Sequence, residues 1–218
     1  GLGDVYKRQV MAQCIERRQT KGERTASRIL DCAESLFARQ GYEGTSLRQI
    51  AQSAGIKEPG LYNHFSGKPA LYEAVLFRAL NPMATALADH LDEASGLRDY
   101  TDLPAIMTDL LLAHPQMAAL FHQALQGELT SPGNRMVSRW LESLFDQGMR
   151  SLDDMGSGSD EDRATQAINL VAMFNLTTGY FLSQCALDSL GGGKVDDPDN
   201  IARQKRLLHK VIRAMLIS

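Results

Sequence analysis

The chain has 218 residues, 44% of them hydrophobic, and a formal net charge of −3. This length suffices for one large domain or two small ones, and no long apolar run is free of polar residues, so we expect no membrane span. The three cysteines, Cys14, Cys32 and Cys185, lack metal-ligand spacing. An odd cysteine count of this kind favours a reducing cytoplasm over a disulfide scaffold.

The first nine residues, GLGDVYKRQ, have no helical periodicity and resemble nothing else in the chain. A nucleotide string that encodes DVYKRQ resembles the transposase ends used in sequencing-library adapters, and the whole nonapeptide fits that adapter in one frame. We therefore interpret residues 1–10 as an adapter-derived segment and expect the native start at Met11. A natural disordered tail is the alternative.

Charge is distributed unevenly along the chain. Residues 10–80 carry a net charge of +3, whereas residues 81–218 carry a net charge of −7. A basic amino-terminal third on an acidic body indicates that one face of the protein is suited to a polyanion.

Helical periodicity predominates, and no segment alternates with a period of two over a convincing length. Apolar residues at three- and four-residue spacing over 29–37 predict an amphipathic helix, which Gly41 ends in a left-handed conformation. Ser46 and Gln49 resemble a capping box that begins a second helix, and Gly55 ends that helix. The expected fold class is therefore all-α.

The stretch GIKEPGLYNHFSGK, residues 55–68, predicts a third, very short helix that reaches residue 65. If Lys57 is the N-cap, Glu58 and Pro59 lie in the first turn, where the missing N–H of proline would have been unpaired anyway. Gly60 has no Cβ, so another backbone can approach it closely. Two helices joined by a tight turn, the second short and polar, describe a helix-turn-helix whose second helix reads the major groove.

Ser66 or Gly67 caps a fourth helix that runs toward His90. Five further helices follow, and the breaks between them are rich in glycine and proline: HP, SPGN, GSGSD and GGGKVDDPDN. The five predicted ranges are 102–113, 115–127, 133–152, 161–190 and 200–217. The chain thus has about nine helices.

Residues 23–80 resemble the amino-terminal domain of TetR/AcrR-family transcriptional regulators. The resemblance depends on the spacing of Ile29, Leu30, Ala33, Leu36, Phe37, Gly41, Tyr42, Thr45, Ile50, Ala51, Ala54, Gly55, Leu61, Tyr62, Phe65, Lys68 and Leu71. It implies a three-helix DNA-binding domain over 20–67 and a larger effector-binding and dimerisation domain over 68–218. It also implies a homodimer that binds a double-stranded DNA operator.

By the same resemblance, Tyr62, His64 and Lys68 are phosphate-contacting residues. Thr45 and Ser46 are hydroxyl donors at the start of the second helix, where the helix dipole also favours an anion. Two alternatives stay open at this point. Tyr62 could instead pack in the core, and His64 could be a solvated residue at a helix end.

The resemblance places Arg48 where the family often has an arginine that contacts a base or a phosphate. Lys57 departs from the serine or threonine common at its position, losing the cap hydroxyl but adding charge. Glu58 is acidic on a surface that faces DNA, so it is either a cytosine N4 acceptor or a partner of Arg48. Asn63 is either a reading residue or only a helix-end residue. The reading face consists of Glu58, Pro59, Gly60 and Asn63.

The sequence contains no complete enzyme motif. GGGK, residues 191–194, lacks both the preceding glycine and the following hydroxyl residue of a phosphate-binding loop, since Asp188 and Val195 stand there. HExxH and GxSxG do not occur, and the histidines lack partners at metal-ligand spacing. We therefore expect no catalytic residue, no metal and no cofactor.

In the body, helical spacing assigns most of the large apolar residues to the core, and a subset could line a cavity for an apolar effector. That candidate subset is Met107, Met117, Phe121, His122, Trp140, Phe145 and Phe174. The last two long helices carry apolar stripes that predict a four-helix dimer interface. The candidate interface residues are Leu170, Phe174, Leu182, Leu208, Val211, Ile212 and Met215.

These observations predict a cytoplasmic, sequence-specific transcriptional regulator, a repressor that a small apolar ligand releases from a palindromic operator. The alternative from another class is a helix-turn-helix interaction protein without ligand control, such as a nucleoid-associated or cell-division factor. Binding to one short palindrome favours the regulator, and binding to dispersed sites favours the alternative. An all-α enzyme has no motif in its support.

Overall fold

The computed structural model describes residues 20–93, 97–128, 130–154 and 162–217, and these residues form ten α-helices and no strand. The predicted all-α fold class is confirmed, whereas residues 1–10 lie outside the described part of the chain. The helices are α1 Lys21–Gly44, α2 Leu47–Ser53, α3 Glu58–Leu61, α4 Lys68–Asp92, α5 Leu97–Ala113, α6 Met117–Gln126, α7 Pro132–Asp154, α8 Arg163–Phe181, α9 Gln184–Ser189 and α10 Pro198–Ile217.

The prediction of one continuous helix over 161–190 was wrong, because α8 ends at Phe181 and α9 follows it. The hydroxyl of Ser183 donates a hydrogen bond to the carbonyl of Gly179 over 2.7 Å. The backbone N–H of Leu182 donates to the same carbonyl over 3.1 Å, which tightens the last turn. A helix end therefore forms inside an apolar sequence that contains no proline.

Helix α3 is also shorter than the sequence predicts. It ends at Leu61, and the N–H groups of His64 and Phe65 both donate to the Leu61 carbonyl over 3.0 Å. The residues after Leu61 therefore form a turn that leads to α4. Gly67, not Ser66, is the N-cap of α4.

One buried core joins the amino-terminal helices to the body. Phe37 of α1, Leu71 of α4 and Phe121 of α6 belong to this core and are fully buried. Burying an apolar side chain of this size stabilises the fold by about 1.5–3 kcal/mol. Since α4 packs against both α1 and α7, it connects the helix-turn-helix to the larger part of the chain.

A polar contact on the surface sets the position of α4 against α1. The guanidinium of Arg78 donates to Asp31 Oδ1 over 2.6 Å and to Glu34 Oε2 over 2.5 Å. The Arg78 side chain is 33% exposed, so water weakens each ion pair. The main effect of the contact is geometric, because one side chain bridges two successive turns of α1.

Helix α1 bends sharply at Gly41, whose φ of 73° and ψ of 174° belong to a region that only glycine adopts readily. The predicted positive φ at Gly41 is confirmed, but its ψ differs from that of a left-handed helix cap, and helical residues continue to Gly44 beyond the bend. A Cβ added at Gly41 would lie 2.8 Å from Oε1 of Gln123 on α6. The bend therefore brings the end of α1 against the body.

We expect Gly41→Ala to lower the free energy of unfolding by about 1–3 kcal/mol, because alanine is strained at this φ and ψ. Gly44→Ala is the matched control. Its added Cβ would approach only Gln40 Cβ, at 3.4 Å, and its φ is not positive. Urea denaturation measures both variants, and equal stabilities for the two would contradict the assigned strain.

Candidate nucleic-acid interface

Helix α2 begins at a complete capping box, as predicted. The hydroxyl of Ser46 accepts a hydrogen bond from the Gln49 N–H over 3.2 Å, and Gln49 Oε1 accepts the Ser46 N–H over 2.8 Å. These bonds satisfy two backbone donors that the first turn leaves unpaired. Gly55, with a φ of 64°, then redirects the chain into α3. The predicted turn between the two helices is confirmed.

Helix α3 is held by one buried anchor and a proline. Lys57 is its N-cap, as predicted, and contributes no side-chain cap bond. Pro59 lies in the first turn, where no intrahelical donor is needed. Leu61 is 0% exposed and fixes the helix to the core, and Phe65 packs against the same core from its edge. Both side chains therefore hold α3 and the turn after it against the core.

The outer face of α3 is open to solvent. Tyr62 is 53% exposed, which excludes the alternative that its ring packs in the core. Pro59 and Asn63 are exposed as well, and His64 is half-buried. A Cβ added at Gly60 would meet no atom within 4 Å, so the protein itself leaves space at this position. A second molecule can therefore approach the helix closely here.

Glu58 and Arg48 do not neutralise each other. Arg48 is exposed and Glu58 is half-buried, and the ion pairs found within the described ranges all involve other residues. The carboxylate of Glu58 is therefore available to accept a hydrogen bond from outside the chain. The structure thus gives no support to an ion pair between Glu58 and Arg48, and acceptance from a base stays a prediction.

The structure corrects the role expected of Thr45. Its side chain is 2% exposed, and its hydroxyl donates to the carbonyl of Gly41 over 2.8 Å. The bend at Gly41 turns this carbonyl toward the residue four positions later, so the hydroxyl closes the turn. Thr45 therefore holds the chain between α1 and α2, whereas Ser46 is exposed at the start of α2.

Lys68, the first residue of α4, lies over the aromatic ring of Tyr42, which is not among the predicted DNA contacts. Its Nζ is 4.3 Å from the centroid of the Tyr42 ring. The family pattern includes Tyr42 but gives it no role in DNA binding. Tyr42 and Lys68 lie on different helices. Their contact depends on how α4 packs against α1, so no local sequence signal predicts it.

Comparison with known proteins agrees with this geometry. Residues 29–75 match the family model for bacterial regulatory proteins of the tetR family. Over 194 residues, the chain is 31% identical to the HTH-type transcriptional regulator UidR of Escherichia coli strain K12, covering 89% of this chain and 81% of UidR. The chain belongs to the TetR family. It is a helix-turn-helix DNA-binding transcriptional regulator.

Further TetR-family relatives match the chain in part or in fold. IcaR of Staphylococcus aureus strain Newman, a negative transcriptional regulator of the icaADBC biofilm operon, is 48% identical over 46 residues, 21% of this chain and 25% of IcaR. The fatty acid degradation regulator FadR of Bacillus halodurans aligns with a TM-score of 0.64 at 17% identity, over 84% of this chain and 97% of FadR. The ketosteroid regulator KstR2 of Mycobacterium tuberculosis aligns with a TM-score of 0.64 at 18% identity, over 91% and 95%. These two structures share the fold of this TetR-family chain.

Three aromatic side chains meet in the body of this TetR-family protein, and we call them the aromatic cluster: Phe121, Trp140 and Phe174. The ring centroids of Phe121 and Trp140 are 5.4 Å apart with an interplanar angle of 13°, so the rings are stacked. Phe174 lies 5.6 Å from Phe121 and 6.2 Å from Trp140. Met107 and Met117 are buried in the body as well. Four of the seven candidate cavity residues are therefore buried, and the half-buried Trp140 packs against two of them.

The other two candidates do not belong to the aromatic cluster. His122 is exposed on α6 and shares a hydrogen bond of 2.8 Å with the side chain of Gln126. Phe145 is half-buried and lies under the guanidinium of Arg163, 4.9 Å from the ring centroid. Helical spacing alone did not distinguish His122 and Phe145 from the four candidates that are buried.

The predicted dimer interface also needs correction. Phe174 is 7% exposed and Leu208 is 1% exposed, so both pack within the chain rather than toward a partner. Leu170, Val211, Ile212 and Met215 are half-buried. Three exposed apolar residues on one side of α8 and at its C-cap form what we call the α8 apolar strip: Ile168 at 68%, Val171 at 52% and Leu182 at 43%. Ile168 was not among the residues predicted from the sequence.

Within the described ranges, no cluster of three or more histidine, cysteine, aspartate or glutamate residues has the arrangement of a metal site. None of the helices in those ranges has the length and apolar character needed to cross a membrane.

We expect Thr45→Val to lower the free energy of unfolding by about 1–3 kcal/mol, because the buried Gly41 carbonyl loses its partner. While the variant is folded, its affinity for DNA should not change. Ser46→Ala is the matched comparison, since the Ser46 hydroxyl is exposed, and it should weaken DNA binding as well as remove the cap. Fluorescence anisotropy at a temperature where both variants are folded measures the two affinities. A loss of affinity for Thr45→Val as large as that for Ser46→Ala would restore Thr45 as a phosphate contact.

Proposed function

We propose that the protein is a transcriptional repressor that binds a palindromic operator as a homodimer and leaves it when a small apolar effector binds. The proposal rests on the outer face of α3, where Tyr62 and Asn63 point away from the core that Leu61 anchors. A helix presented in this way suits the major groove, which is about 12 Å wide. The role of IcaR as a negative regulator supports repression over activation.

On this proposal, base reading and phosphate contact are divided between neighbouring residues. Glu58 accepts a hydrogen bond from a cytosine N4 amino group, and Arg48 contacts a base or a phosphate at the end of the half-site. Phosphate contacts fix register without reading sequence. The phosphate contacts come from Ser46, Lys57, Tyr62, His64 and Lys68, and the base-reading face from Glu58, Pro59, Gly60 and Asn63.

We expect Glu58→Ala to change the preferred base at one position of each half-site, at a cost of roughly 1–3 kcal/mol in discrimination. Lys68→Ala is the control, because it should change affinity without changing the preferred base. It should weaken binding to all sequences similarly and reduce the salt slope by about one counterion. Selection from a randomised duplex library measures both. Identical base preferences for Glu58→Ala and the parent would remove Glu58 from the reading face.

The homodimer is proposed to form through the α8 apolar strip. Ile168, Val171 and Leu182 lie on one side of α8, and water contact with such a surface is unfavourable. Helix α10 packs against α8, and its residues Val211 and Met215 are half-buried. A twofold axis through the strip packs the strip of one subunit against the same strip of its partner. The two copies of α3 then face the two half-sites of a palindrome.

We expect the parent protein to sediment as a dimer at micromolar concentration and the double variant Ile168→Glu with Val171→Glu to sediment as a monomer. Charges introduced there would repel across the twofold axis. Leu112→Glu is the matched control, because Leu112 is an exposed leucine, at 39%, on α5. A monomeric parent, or a dimeric double variant, would contradict the proposed interface.

Control by an effector is proposed to act at the aromatic cluster. An apolar compound inserted between Phe121 and Trp140 would displace α6, and Gln123 on that helix touches Gly41 at the bend of α1. Helix α4, which starts at Lys68 and packs on α7, provides a second connection between the body and the helix-turn-helix. A ligand releases DNA only if it binds the DNA-incompetent arrangement more tightly.

We expect an apolar effector to change the fluorescence of Trp140, the only tryptophan, and to lower operator affinity roughly five- to hundred-fold at saturation. The measurement titrates operator-bound protein with a panel of fatty acids and apolar alcohols and follows both signals. Compounds that perturb Trp140 without changing operator affinity would show that the cluster is not a control site. With Phe174→Ala, the same compounds should bind with altered affinity.

The proposal places the protein in the cytoplasm with its operator and assigns it no catalytic step. The competing interaction protein without ligand control would bind many dispersed sites and would not respond to any compound. Genome-wide mapping of bound DNA distinguishes the two, because the proposed repressor should occupy a few sites that share one short palindrome.

A further inference from the structure

The contact between Lys68 and Tyr42 has a consequence for how the protein holds phosphate. Lys68 is half-buried, and its ammonium group lies 4.3 Å above the Tyr42 ring centroid. This is the geometry of a cation–π interaction, in which the negative face of the ring attracts the cation. A lysine at the start of a helix is otherwise a flexible side chain with many rotamers.

Tyr42 itself is held in place by other rings. Its centroid is 6.1 Å from that of Phe37 and 4.9 Å from that of Tyr72. Tyr72 is 3% exposed and contacts Phe37 edge-on at 4.8 Å. The three rings form one packed group, so the surface that Lys68 lies on is fixed by residues of both α1 and α4.

The body supports this group from behind. A Cβ added at Gly133, near the start of α7, would lie 2.5 Å from Cε1 of Tyr72. The Tyr72 ring therefore rests directly on the α7 backbone, and only glycine leaves room for it. The position of the Tyr42 ring, and with it that of Lys68, thus depends on the packing of α7.

The ring holds the lysine without neutralising it. Glu43 and Glu73 lie close enough to Tyr42 that, together with burial, they raise the pKa of its phenol. Among the ion pairs of the described residues, none includes Lys68. A carboxylate partner would have to be displaced before a phosphate could bind, whereas an aromatic face leaves the positive charge available.

We propose that Tyr42 is a positioning residue that orients the ammonium group of Lys68 toward a DNA phosphate before DNA arrives. The inference rests on the proposed phosphate contact of Lys68 and adds the residue that makes this contact rigid. An ordered lysine loses less rotamer freedom on binding. Loss of the ring should therefore weaken binding to every sequence equally, by about two- to fivefold.

The test is a double-mutant cycle between Tyr42→Leu and Lys68→Ala, with affinity measured on the duplex that the parent selects from a random library and on a scrambled duplex. Tyr42→Leu should weaken both duplexes in the parent background and neither in the Lys68→Ala background. Tyr42→Phe keeps the ring and should restore most of the affinity that Tyr42→Leu loses. Thermal melts define the temperature at which all variants are folded.

The outcomes separate this inference from the function it rests on. If Tyr42→Leu weakens binding equally in both backgrounds, Tyr42 acts only through packing and the inference is overturned. If Lys68→Ala alone has no effect, the proposed phosphate contact fails and the inference with it. If the parent selects no duplex, the proposed repressor function itself fails.

A measurement on the parent protein covers the case in which Tyr42→Leu does not fold. Protons held over an aromatic face resonate upfield, so the ε-methylene protons of Lys68 should appear upfield of those of the other lysines. The Lys68→Arg variant assigns the signal by its disappearance. Random-coil shifts for these protons would overturn the inference.

Discussion

Helix α3 has four residues and cannot hold its own conformation in water, because helix nucleation is unfavourable and short helices gain few bonds. Its geometry depends on the burial of Leu61, which is 0% exposed and packs in the core with Ile50 and Ala51 of α2. Every DNA contact proposed for residues 58–63 relies on this one anchor. The helix that reads DNA is thus the element least able to exist apart from the core.

The core that holds α3 does not stop at the DNA-binding helices. Tyr72 of α4 packs on Phe37 of α1 and on the backbone at Gly133 of α7. Burial raises the pKa of Tyr72 to about 12, so its hydroxyl stays protonated at any physiological pH. Because packed interiors transmit displacement, a rearrangement at the start of α7 or at Gln123 would also displace the helix-turn-helix. Packing is therefore continuous across the predicted domain boundary near residue 68.

Much of the backbone geometry of the helix-turn-helix could be predicted from the sequence, because its signals are local. A glycine that must take a positive φ at Gly41, a capping box at Ser46 and a proline in the first turn of α3 each specify backbone geometry within a few residues. The TetR-family spacing added roles to these positions. The inward turn of the Thr45 hydroxyl could not be predicted, since it follows from the carbonyl direction set by the bend.

The body was harder to predict for a physical reason. Helix α8 is apolar on two sides, and periodicity cannot tell the side that packs in the core from the side that is left exposed. Phe174 and Ile168 illustrate this, since the first is buried in the aromatic cluster and the second is 68% exposed. The contact of Lys68 with Tyr42 has the same origin, because only the packing of α4 on α1 brings these residues together.

The central claim is that two copies of a rigidly held α3 enter adjacent major grooves on one face of DNA. Hydroxyl-radical footprinting on the duplex selected by the parent protein tests it most directly. The account predicts two protected segments whose centres lie about one helical turn, or 34–36 Å, apart and are related by a twofold axis. A single protected segment, or uniform protection of any duplex, would contradict it.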